Sequence, residues 1–489
     1  MAAITTLVAF WLWGYIDKVI LSNALKRYQP VQRQADNAGG FKLAASDVSV
    51  IVPTVNTKAS FPGCLRTWVA NQPREIIIIA IEEERDRIVS LIRDAALPRD
   101  ITTRVKVLYA PAASKREQFK LGIEATSGSI IANVDDHILW PREFLRYTLP
   151  CFHDKTVGAV GTPLTIHIPQ HRQNSRTVTF WETAMTRALW RRNTSLAAVY
   201  ALARWCWVLA GSTVVFRAEI LRDDRFLHGL TNDYWLGRFK LDTGDDTFSS
   251  RWLQQHGWQI AIQSMPETQV SRTTVKSGRA FFEQAFRWER STIQSFLRTL
   301  RDVPQIWKKP YIARKTVERV LRPVTTAIHG LAWIFSFSTY PKLAWVALDF
   351  ALYIQLTLLP EKKADEPCRS FVLAYYLWDA GWTYVAFFNE YPYMWRQFGA
   401  VVLMDHFYMV QDIWSWLTLD NEVSHTALGC MRTSRQDKNI APYLPPYTTP
   451  ARPPQPKCHA TSGTHTTMTT NNPIPAPTSH GSRRLVNQS

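Results

Sequence analysis

Ile130-Ile-Ala-Asn-Val-Asp-Asp-His137 is the stretch in which an apolar run ends directly in two adjacent carboxylates. Its first five residues have the length and composition of a short buried strand, so Asp135 and Asp136 are predicted to lie at the carboxyl end of that strand. Two carboxylates in such a place can hold Mg²⁺ or Mn²⁺, which prefer oxygen ligands and often bridge to substrate phosphates. Asp is also common in turns and at helix N-termini, which leaves an ordinary structural role open for the pair.

Three further apolar runs precede this stretch, at residues 48–52, 76–79 and 105–108, and helical patterns separate them. Strands that alternate with helices predict an α/β domain over residues 47–290, with a mostly parallel, Rossmann-like sheet covered by helices. Ligands of such sheets bind beyond the carboxyl ends of the strands. The two carboxylates are therefore predicted to lie where a ligand binds.

Composition narrows the class of protein. The chain of 489 residues has 57 Lys and Arg against 40 Asp and Glu, a formal net charge of +17, and its hydrophobic content of 46% excludes a wholly disordered chain. Six scattered Cys residues without a C-x-x-C pair argue against a disulfide scaffold or a zinc ribbon and fit a reducing compartment. The positive charge admits three partners, namely nucleic acid, an anionic membrane surface and an anionic substrate.

Apolar segments at both ends predict membrane contact. Residues 1–25 are predicted to form an N-terminal transmembrane helix, followed by basic residues that would lie in the cytosol. A buried N-terminal helix is the alternative. Residues 291–322 hold eight basic residues against Asp302 and Glu318, a net charge of +6, with apolar residues interleaved. This pattern predicts interfacial helices on the cytosolic membrane face and competes with an interpretation as a nucleic-acid site.

Four apolar stretches, at 324–340, 343–359, 371–388 and 398–419, predict C-terminal transmembrane helices over residues 323–420, although some could instead be interfacial. Ionisable residues within such helices usually face the bundle interior or a water-filled path. Those in these stretches are Asp349, Asp379, Asp405, His406 and Asp412. The tail 440–489 is rich in Pro, Thr, Ser and Asn and is predicted to be disordered.

Two further motifs could carry chemistry. Gly244-Asp245-Asp246 opens a helical pattern, in which one acid could cap the helix and the other could be a general base for an acceptor hydroxyl. Gln284, Arg287 and Trp288 have the i, i+3, i+4 spacing that places side chains on one face of a helix. An Arg side chain suits the binding of a diphosphate, and an indole suits stacking on a sugar ring. The alternative is a structural role, with Arg287 at the surface and Trp288 in the core.

Polar residues also follow the first two predicted strands. Thr54, Val55 and Asn56 follow the first strand, and Glu82 and Glu83 follow the second. Loops at strand ends commonly bind a nucleotide, and ordinary loop polarity is the alternative.

Taken in order, these motifs resemble family 2 glycosyltransferases, which are inverting enzymes with a GT-A fold. The resemblance covers residues 47–420 and is strongest to the membrane-embedded hyaluronan, chitin and cellulose synthases and to related fungal polysaccharide synthases. The motifs that carry it are residues 53–56, Lys115-Arg116, Asp135-Asp136, Gly211-Ser212, Phe216-Arg217, Gly244-Asp245-Asp246 and Gln284-x-x-Arg287-Trp288.

The resemblance implies a role for each site residue. Asp136 would bind Mg²⁺ or Mn²⁺ on the diphosphate of a UDP-sugar, with Asp135 beside it, and Asp246 would be the catalytic base, with Asp245 beside it. Lys115 would contact the nucleotide. The residues that would cradle uracil and ribose are Thr54, Val55, Asn56 and Glu82. Those that would hold the diphosphate and the acceptor end of the glycan are Gln284, Arg287 and Trp288.

The sequence departs from the family pattern in three places. The C-terminal Trp-x-Thr-Arg type signature of the family is matched only in part, by Trp416-Leu-Thr418 and Met431-Arg-Thr-Ser-Arg435. The metal motif of the family is commonly Asp-x-Asp, and Val134 stands at its first position here. The usual Asp after the second strand is replaced by Glu82 or Glu83, between which the sequence does not choose.

The resemblance implies a hexosyltransferase in a multi-pass plasma-membrane protein with its catalytic domain in the cytosol. The expected activity is processive transfer from a UDP-sugar to a β-linked polysaccharide that is translocated across the membrane. The alternative activity is the transfer of a single sugar to a membrane lipid such as ceramide. A third hypothesis is a non-catalytic membrane protein that serves as a scaffold or binds lipid or nucleic acid. The resemblance is compatible with a homo-oligomer, and nucleic acid is not expected as a partner. The sequence does not name the sugar.

Overall fold

The four apolar runs form neighbouring strands of one sheet. The computed structural model describes residues 2–32, 43–339 and 384–420, all within the first of two units into which the chain divides, 1–442 and 443–489. Every residue of the first and fourth strands is buried, which explains why they are continuously apolar rather than alternating. The four strands are β1 (Val48–Pro53), β2 (Glu75–Ile81), β3 (Val105–Ala110) and β4 (Ile130–Val134).

The main sheet has seven strands in the order β11-β6-β8-β4-β1-β2-β3. Its pairs are parallel except at β8, which is antiparallel to both β4 and β6. The prediction of a mostly parallel α/β sheet is therefore confirmed. The chain passes from β1 to β2 and β3 on one side and returns to β4 on the other. This reversal opens a crevice at the carboxyl ends of β1 and β4, where ligands of such sheets bind.

The other strands complete this sheet and form two small ones. Those of the main sheet are β6 (Val157–Gly161), β8 (Thr213–Arg217) and β11 (Gln259–Ile262). Those of a three-stranded sheet are β5 (Ile138–Leu139), β7 (Leu164–Ile166) and β12 (Val270–Arg272). A hairpin consists of β9 (Tyr234–Trp235) and β10 (Phe239–Lys240).

Helices flank the sheets and form the carboxyl-terminal part of the described chain. They are α1 (Ala2–Lys26), α2 (Phe61–Val69), α3 (Arg85–Asp94), α4 (Arg99–Thr102), α5 (Lys115–Ala125), α6 (Phe144–Thr148), α7 (Phe180–Ala203), α8 (Ala218–Leu221), α9 (Asp224–Thr231), α10 (Asp245–Gln255), α11 (Gly278–Asp302), α12 (Pro310–Val320), α13 (Arg322–Thr339) and α14 (Phe398–Leu417). Short 3-10 turns lie at Ala45–Asp47, Glu82–Glu84, Leu149–His153, Gln170–Arg172, Pro266–Thr268, Pro304–Lys308 and Pro392–Gln397.

A glycine brings α5 close to the sheet. A Cβ at Gly122 would stand 2.5 Å from Cγ2 of Ile51 and 2.9 Å from Cδ1 of Ile79, so a larger residue would push the helix outward. At the helix start, the Ser114 side chain accepts a hydrogen bond from the backbone of Glu117 and satisfies one of the amides that a helix leaves unpaired. These contacts fix the first residue of α5, Lys115, beside the ends of β1 and β4.

An ion pair joins α14 to α7. Asp405 of α14 lies 2.6 Å from Arg191 and 3.2 Å from Arg187, both on α7. The sequence analysis placed Asp405 inside a membrane span, facing a bundle interior or a water path. In the structure its two oxygens instead meet guanidinium groups of the α/β domain.

A second carboxylate of α14 is buried among arginines. Asp412 is 2% exposed and lies 3.2 Å from both Arg319 of α12 and Arg322 of α13. Arg319 also binds Glu289 of α11. This network joins four helices around two buried carboxylates, Asp412 and Glu289.

Six of the eight basic residues that were predicted to face a membrane form ion pairs within the protein. Arg298 binds Asp233, and Arg314 and Lys315 both bind Asp17 of α1. The other three are Arg301, Arg319 and Arg322. The positive charge that the sequence analysis assigned to an anionic leaflet is therefore largely neutralised by carboxylates of the same chain.

No helix in the described part of the chain combines the length and the apolar content needed to cross a membrane. The transmembrane helices predicted for residues 1–25, 324–340 and 398–419 therefore have no support from α1, α13 and α14. Predictions that lie outside the described residues are those for 343–359, most of 371–388, Asp349, Asp379 and the tail 440–489.

We expect Asp412→Asn to lower the free energy of unfolding by about 1–3 kcal/mol, because the buried carboxylate loses its charge, which leaves Arg322 without its ion-pair partner and Arg319 with Glu289 alone. Denaturation followed by tryptophan fluorescence measures the loss. Asp302→Asn is the matched control, since Asp302 pairs with Arg301 at the surface and such pairs contribute about 0–1 kcal/mol. Equal losses in the two variants would contradict the assignment.

Candidate active site

A cavity of about 240 Å³ lies at the carboxyl ends of β1 and β4. It occupies the crevice that the strand order creates, and five of the predicted site residues meet there. The lining residues are Pro53, Thr54, Val55, Ala113, Lys115, Gln118, Asp135 and Asp136. The fold thus brings the β1 loop, the start of α5 and the paired carboxylates together around one space.

Lys115 connects the two acidic motifs. Its Nζ lies 2.9 Å from Oδ1 of Asp135 and 3.3 Å from Oδ1 of Asp245. Burial opposes the charge of this ammonium, but Asp135, Asp245 and Asp246 together raise the pKa of Lys115 well above its ordinary value. Burial also opposes the charge of Asp135, yet the ammonium lowers the pKa of that carboxyl. Lys115 and Asp135 are therefore both ionised at neutral pH.

Asp136 is oriented from two sides. Its Oδ2 accepts a hydrogen bond of 2.5 Å from the Thr54 hydroxyl, and its Oδ1 lies 2.8 Å from Nδ1 of His137. The backbone carbonyl of Thr54 accepts a hydrogen bond of 2.9 Å from Gln118, which ties the β1 loop to α5. A carboxylate oxygen has more than one lone pair, so both oxygens of Asp136 can still reach a cation.

The acid that reaches the β1 loop is Glu84, rather than Glu82 or Glu83, to which the family resemblance points. Glu84 accepts hydrogen bonds from the backbone of Asn56 and from the hydroxyl of Thr57, the latter at 3.1 Å. Glu82 instead forms an exposed ion pair of 2.7 Å with Arg85. The 3-10 turn Glu82–Glu84 turns only the third carboxylate back toward the loop, and three adjacent glutamates give no sequence signal for that difference.

Asp245 and Asp246 form the first turn of α10. Gly244 is the N-cap, with a φ of 72°, so neither acid caps the helix. Asp246 is half-buried, and its two oxygens accept hydrogen bonds from the backbone amides of Thr247 at 2.8 Å and Gly211 at 3.2 Å. Burial and the neighbouring Asp245 carboxylate raise the pKa of Asp246 above its ordinary value. A carboxylate with a raised pKa accepts a proton more readily, which suits a general base.

A buried cluster around Asp233 fixes the start of α10. Arg116, which is 2% exposed, donates hydrogen bonds to the carbonyls of Thr243 at 2.8 Å and Gly244 at 3.3 Å. The same guanidinium lies 3.1 Å from Asp233, which also binds Arg298 of α11 at 2.6 Å. Asp233 therefore ties together α5, α10 and α11, each of which carries predicted site residues. Nothing in the sequence pattern singled out Asp233.

Gln284, Arg287 and Trp288 lie on α11, as the spacing predicted. Gln284 is buried, Arg287 is half-buried and Trp288 is 38% exposed. The exposed indole argues against the alternative of a core Trp. Among the described residues, Arg287 has no hydrogen-bond or ion-pair partner. The Arg272 guanidinium lies 5.6 Å from the centre of the Trp288 ring and connects it to the acidic motifs, because Arg272 also contacts His137.

The cavity residues fit a hard divalent cation only in part. In the ranges that the structure describes, no group of three or more His, Cys, Asp or Glu side chains could hold a metal. Val134 stands at the first position of the family's metal motif, and its buried hydrocarbon side chain has no atom that can bind a cation. The ligands that remain are Asp136 and Asp135. Mg²⁺ is commonly bound by one or two carboxylates together with substrate phosphates and water. The donor set therefore suits a cation that binds together with a diphosphate.

The chain is similar to proteins of one family. It matches the family described as glycosyltransferase-like family 2 over residues 45–291. It is 31% identical to the NDP-glycosyltransferase ltbB of Aspergillus luteorubrus, across 85% of this chain and 95% of that protein. It is 28% identical to a type 2 glycosyltransferase of Zymoseptoria tritici, across 71% of this chain and 72% of that protein.

A solved structure shows a weaker similarity. It is a mannosyltransferase from Pyrobaculum calidifontis in complex with GDP-Man and Mn²⁺, with a TM-score of 0.49 and 16% identity over 82% of this chain and 98% of that one. This similarity is too low to add to the assignment, which rests on the sequence matches and on the sheet described above. The chain therefore belongs to glycosyltransferase-like family 2, as a hexosyltransferase whose mixed α/β domain has a GT-A-like fold.

Proposed function

We propose that this enzyme is an inverting glycosyltransferase that transfers a sugar from a UDP-sugar to a growing β-linked polysaccharide. The observation that carries the proposal is the cavity at the ends of β1 and β4, where Asp136 and the Lys115–Asp135 ion pair meet. The name of the Aspergillus relative, an NDP-glycosyltransferase, supports a nucleoside diphosphate sugar as the donor. In this proposal, the loop of Thr54, Val55 and Asn56 binds the nucleoside.

Three groups would bind the diphosphate. Asp136, with Asp135 beside it, would hold Mg²⁺ or Mn²⁺, which when bound neutralises the charge that develops on the departing UDP. Arg287 would contact the same phosphates, since its guanidinium has no partner within the described ranges and its planar fork matches phosphate oxygens. Lys115 contributes a further positive charge at the cavity wall.

The chemistry is a single displacement. Asp246 accepts the proton of the acceptor hydroxyl as that oxygen bonds to the anomeric carbon. The bond between the anomeric carbon and the β-phosphate oxygen breaks at the same time, and its electron pair leaves with UDP. Trp288 and Gln284 would hold the acceptor sugar. One base opposite the leaving group is sufficient for inversion, so Asp245 serves to hold Lys115 and to raise the pKa of Asp246.

Membrane contact and polymer export belong to the proposal as well. What supports contact with lipid is a set of exposed apolar side chains on α1 and α13, namely Trp13, Ile16, Val19, Val324, Ile328, Leu331, Ile334 and Phe335. The enzyme would act at the plasma membrane, with its catalytic domain in the cytosol and the product leaving across the bilayer, as a single chain or as a homo-oligomer. Nucleic acid is not proposed as a partner.

Transfer to a membrane lipid is the second candidate. A largely apolar cavity of about 430 Å³ lies between α1, α12 and the start of α13, with Trp13, Trp307 and Leu321 in its wall. A cavity of this kind could hold part of a lipid chain, which favours an acceptor such as ceramide. The size of the product separates the two candidates.

We expect purified full-length enzyme to release UDP from one or more of UDP-Glc, UDP-GlcNAc and UDP-GlcA in Mg²⁺ or Mn²⁺. Removal of the cation with EDTA should stop the release, because the diphosphate would lose its bridge to Asp136, and added Mn²⁺ should restore it. A long polymer supports the first candidate, and a single sugar on added ceramide supports the second. Absence of UDP release from every donor would contradict both.

We expect Asp246→Asn to lower turnover by roughly 10²–10⁴-fold, because the amide cannot accept the hydroxyl proton. Binding of UDP with Mn²⁺, measured by calorimetry, should stay within about twofold of the wild type. Asp242→Asn is a nearby control on an exposed carboxylate and should change neither quantity. Turnover that survives in Asp246→Asn would show that another group is the base.

We expect Gly211→Ala to lower turnover about tenfold or more without loss of fold. A Cβ at this position would stand 3.0 Å from Oδ2 and 3.2 Å from Cγ of Asp246, so the base must move, and small displacements of catalytic groups are costly. Gly330→Ala is the control, because a Cβ there meets nothing within 4 Å. Initial rates and circular dichroism test the prediction, which wild-type turnover in Gly211→Ala would refute.

A further inference from the structure

His137 lies between the donor side and the acceptor side of the site. Its Nδ1 is 2.8 Å from Oδ1 of Asp136, and its Nε2 is 2.8 Å from one terminal nitrogen of Arg272 and 3.2 Å from Nε of the same guanidinium. Only 18% of the His137 side chain is exposed. Both ring nitrogens are therefore occupied within the protein.

The chemistry of the partners fixes the direction of both hydrogen bonds. A guanidinium has donors and no acceptor, so Nε2 of His137 must accept from Arg272 and carries no proton. The ring proton then lies on Nδ1, from which it is donated to Asp136. An imidazole in this state has no free lone pair for a metal, so His137 is excluded as a ligand although it follows the two carboxylates directly.

The backbone holds Arg272 in place for this contact. Arg272 ends β12 and stands opposite Ile138 in the antiparallel pairing with β5. The backbone amide of Thr273 donates a hydrogen bond of 2.9 Å to the carbonyl of His137. The two residues are thus neighbours in the small sheet, and Arg272 has only 9% of its surface exposed.

Arg272 extends the contact to α11. Its guanidinium lies 5.6 Å from the centre of the Trp288 ring, within the range of a cation–π interaction. The exposed face of the indole stays open to a ligand, since Trp288 is 38% exposed. A chain of contacts therefore runs from Asp136 through His137 and Arg272 to Trp288.

We propose that His137 is a positioning residue that orients the Asp136 carboxylate through Nδ1 and, by way of Arg272, the Trp288 indole through Nε2. The inference rests on the proposed function, in which Asp136 serves the donor diphosphate and Trp288 serves the acceptor sugar. Each hydrogen bond of the imidazole serves one side. Loss of one bond is therefore expected to disturb one side and spare the other.

Two amide substitutions separate the two bonds. In His137→Asn, the side-chain nitrogen takes the place of Nδ1 and can still donate to Asp136, but the side chain is too short to reach Arg272. In His137→Gln, the amide oxygen lies as many bonds from Cβ as Nε2 does and can still accept from Arg272, but the donor to Asp136 is lost. His137→Ala loses both bonds, and His153→Asn is a control on an exposed histidine.

Two measurements on the full-length protein report on the two sides. Calorimetric titration of UDP in the presence of Mn²⁺ reports on Asp136. Fluorine NMR of protein labelled with 5-fluorotryptophan reports on Trp288, whose resonance among the 20 Trp is identified by its absence in Trp288→Phe. Neither measurement depends on the identity of the sugar or the acceptor.

We expect His137→Gln to weaken UDP binding about 10-fold or more, as the loss of a group that orients a metal ligand does, with the Trp288 resonance unmoved. His137→Asn should bind UDP within about twofold of the wild type and shift the Trp288 resonance. His137→Ala should show both changes, and the His153 control neither.

The outcomes distinguish the failure of this inference from that of the proposed function. A wild-type protein that does not bind UDP with Mn²⁺ overturns the proposed function and, with it, the inference. A wild-type protein that binds UDP, with Asn and Gln variants that change both measurements together or neither, overturns the separate positioning of the two sides by His137 and leaves the proposed function standing. Equal weakening of UDP binding in all three His137 variants, with Trp288 unmoved, would show that His137 is a metal ligand instead.

Discussion

One ammonium group allows four carboxylates to occupy the same site. Asp135, Asp136, Asp245 and Asp246 come from two motifs more than a hundred residues apart, and like charges this close repel one another. Nζ of Lys115 lies between the two motifs and contacts one acid of each. The position of Lys115 depends in turn on Gly122, which lets α5 lie against β1 and β2. The acidic site therefore depends on a close contact between a helix and the sheet.

Arginine–carboxylate contacts hold the helices to one another. Asp233 joins three helices, Asp405 joins α14 to α7, and Asp412 joins α14 to α12 and α13. Such pairs add little net stability compared with apolar packing, but they are costly to break and are satisfied in one arrangement only. Their contribution is to fix how the helices that carry Lys115, Asp246 and Trp288 stand relative to one another.

The sequence predicted what depends on local pattern. The four parallel strands, the helix that carries Gln284 and Trp288, and the meeting of the β1 loop with Asp135 and Asp136 follow from apolar runs, from helical spacing and from the rule that strand ends share one edge of a sheet. Family resemblance supplied the order of the motifs, which no single motif would have established.

What the sequence did not predict depends on distant partners. The charge of residues 291–322 was assigned to a membrane because its partners are far away along the chain, 90 residues for Arg322 and Asp412 and 297 for Arg314 and Asp17. Glu84 was missed because only the turn geometry separates it from Glu82. The bridging role of His137 was missed because Arg272, its second partner, follows 135 residues later.

The pairing of Asp17 with Arg314 and Lys315 has a consequence for biosynthesis. The helix α1 leaves the ribosome before α12, whose basic partners for Asp17 are made almost three hundred residues later. At about 5–20 residues per second, that interval lasts roughly 15–60 seconds. During this time the exposed apolar side chains of α1 and the carboxylate of Asp17 have no native partner on α12. The ion pairs of Asp17 can therefore form only after nearly the whole α/β domain has been made, which leaves a long period in which a chaperone or a membrane can reach this part of α1.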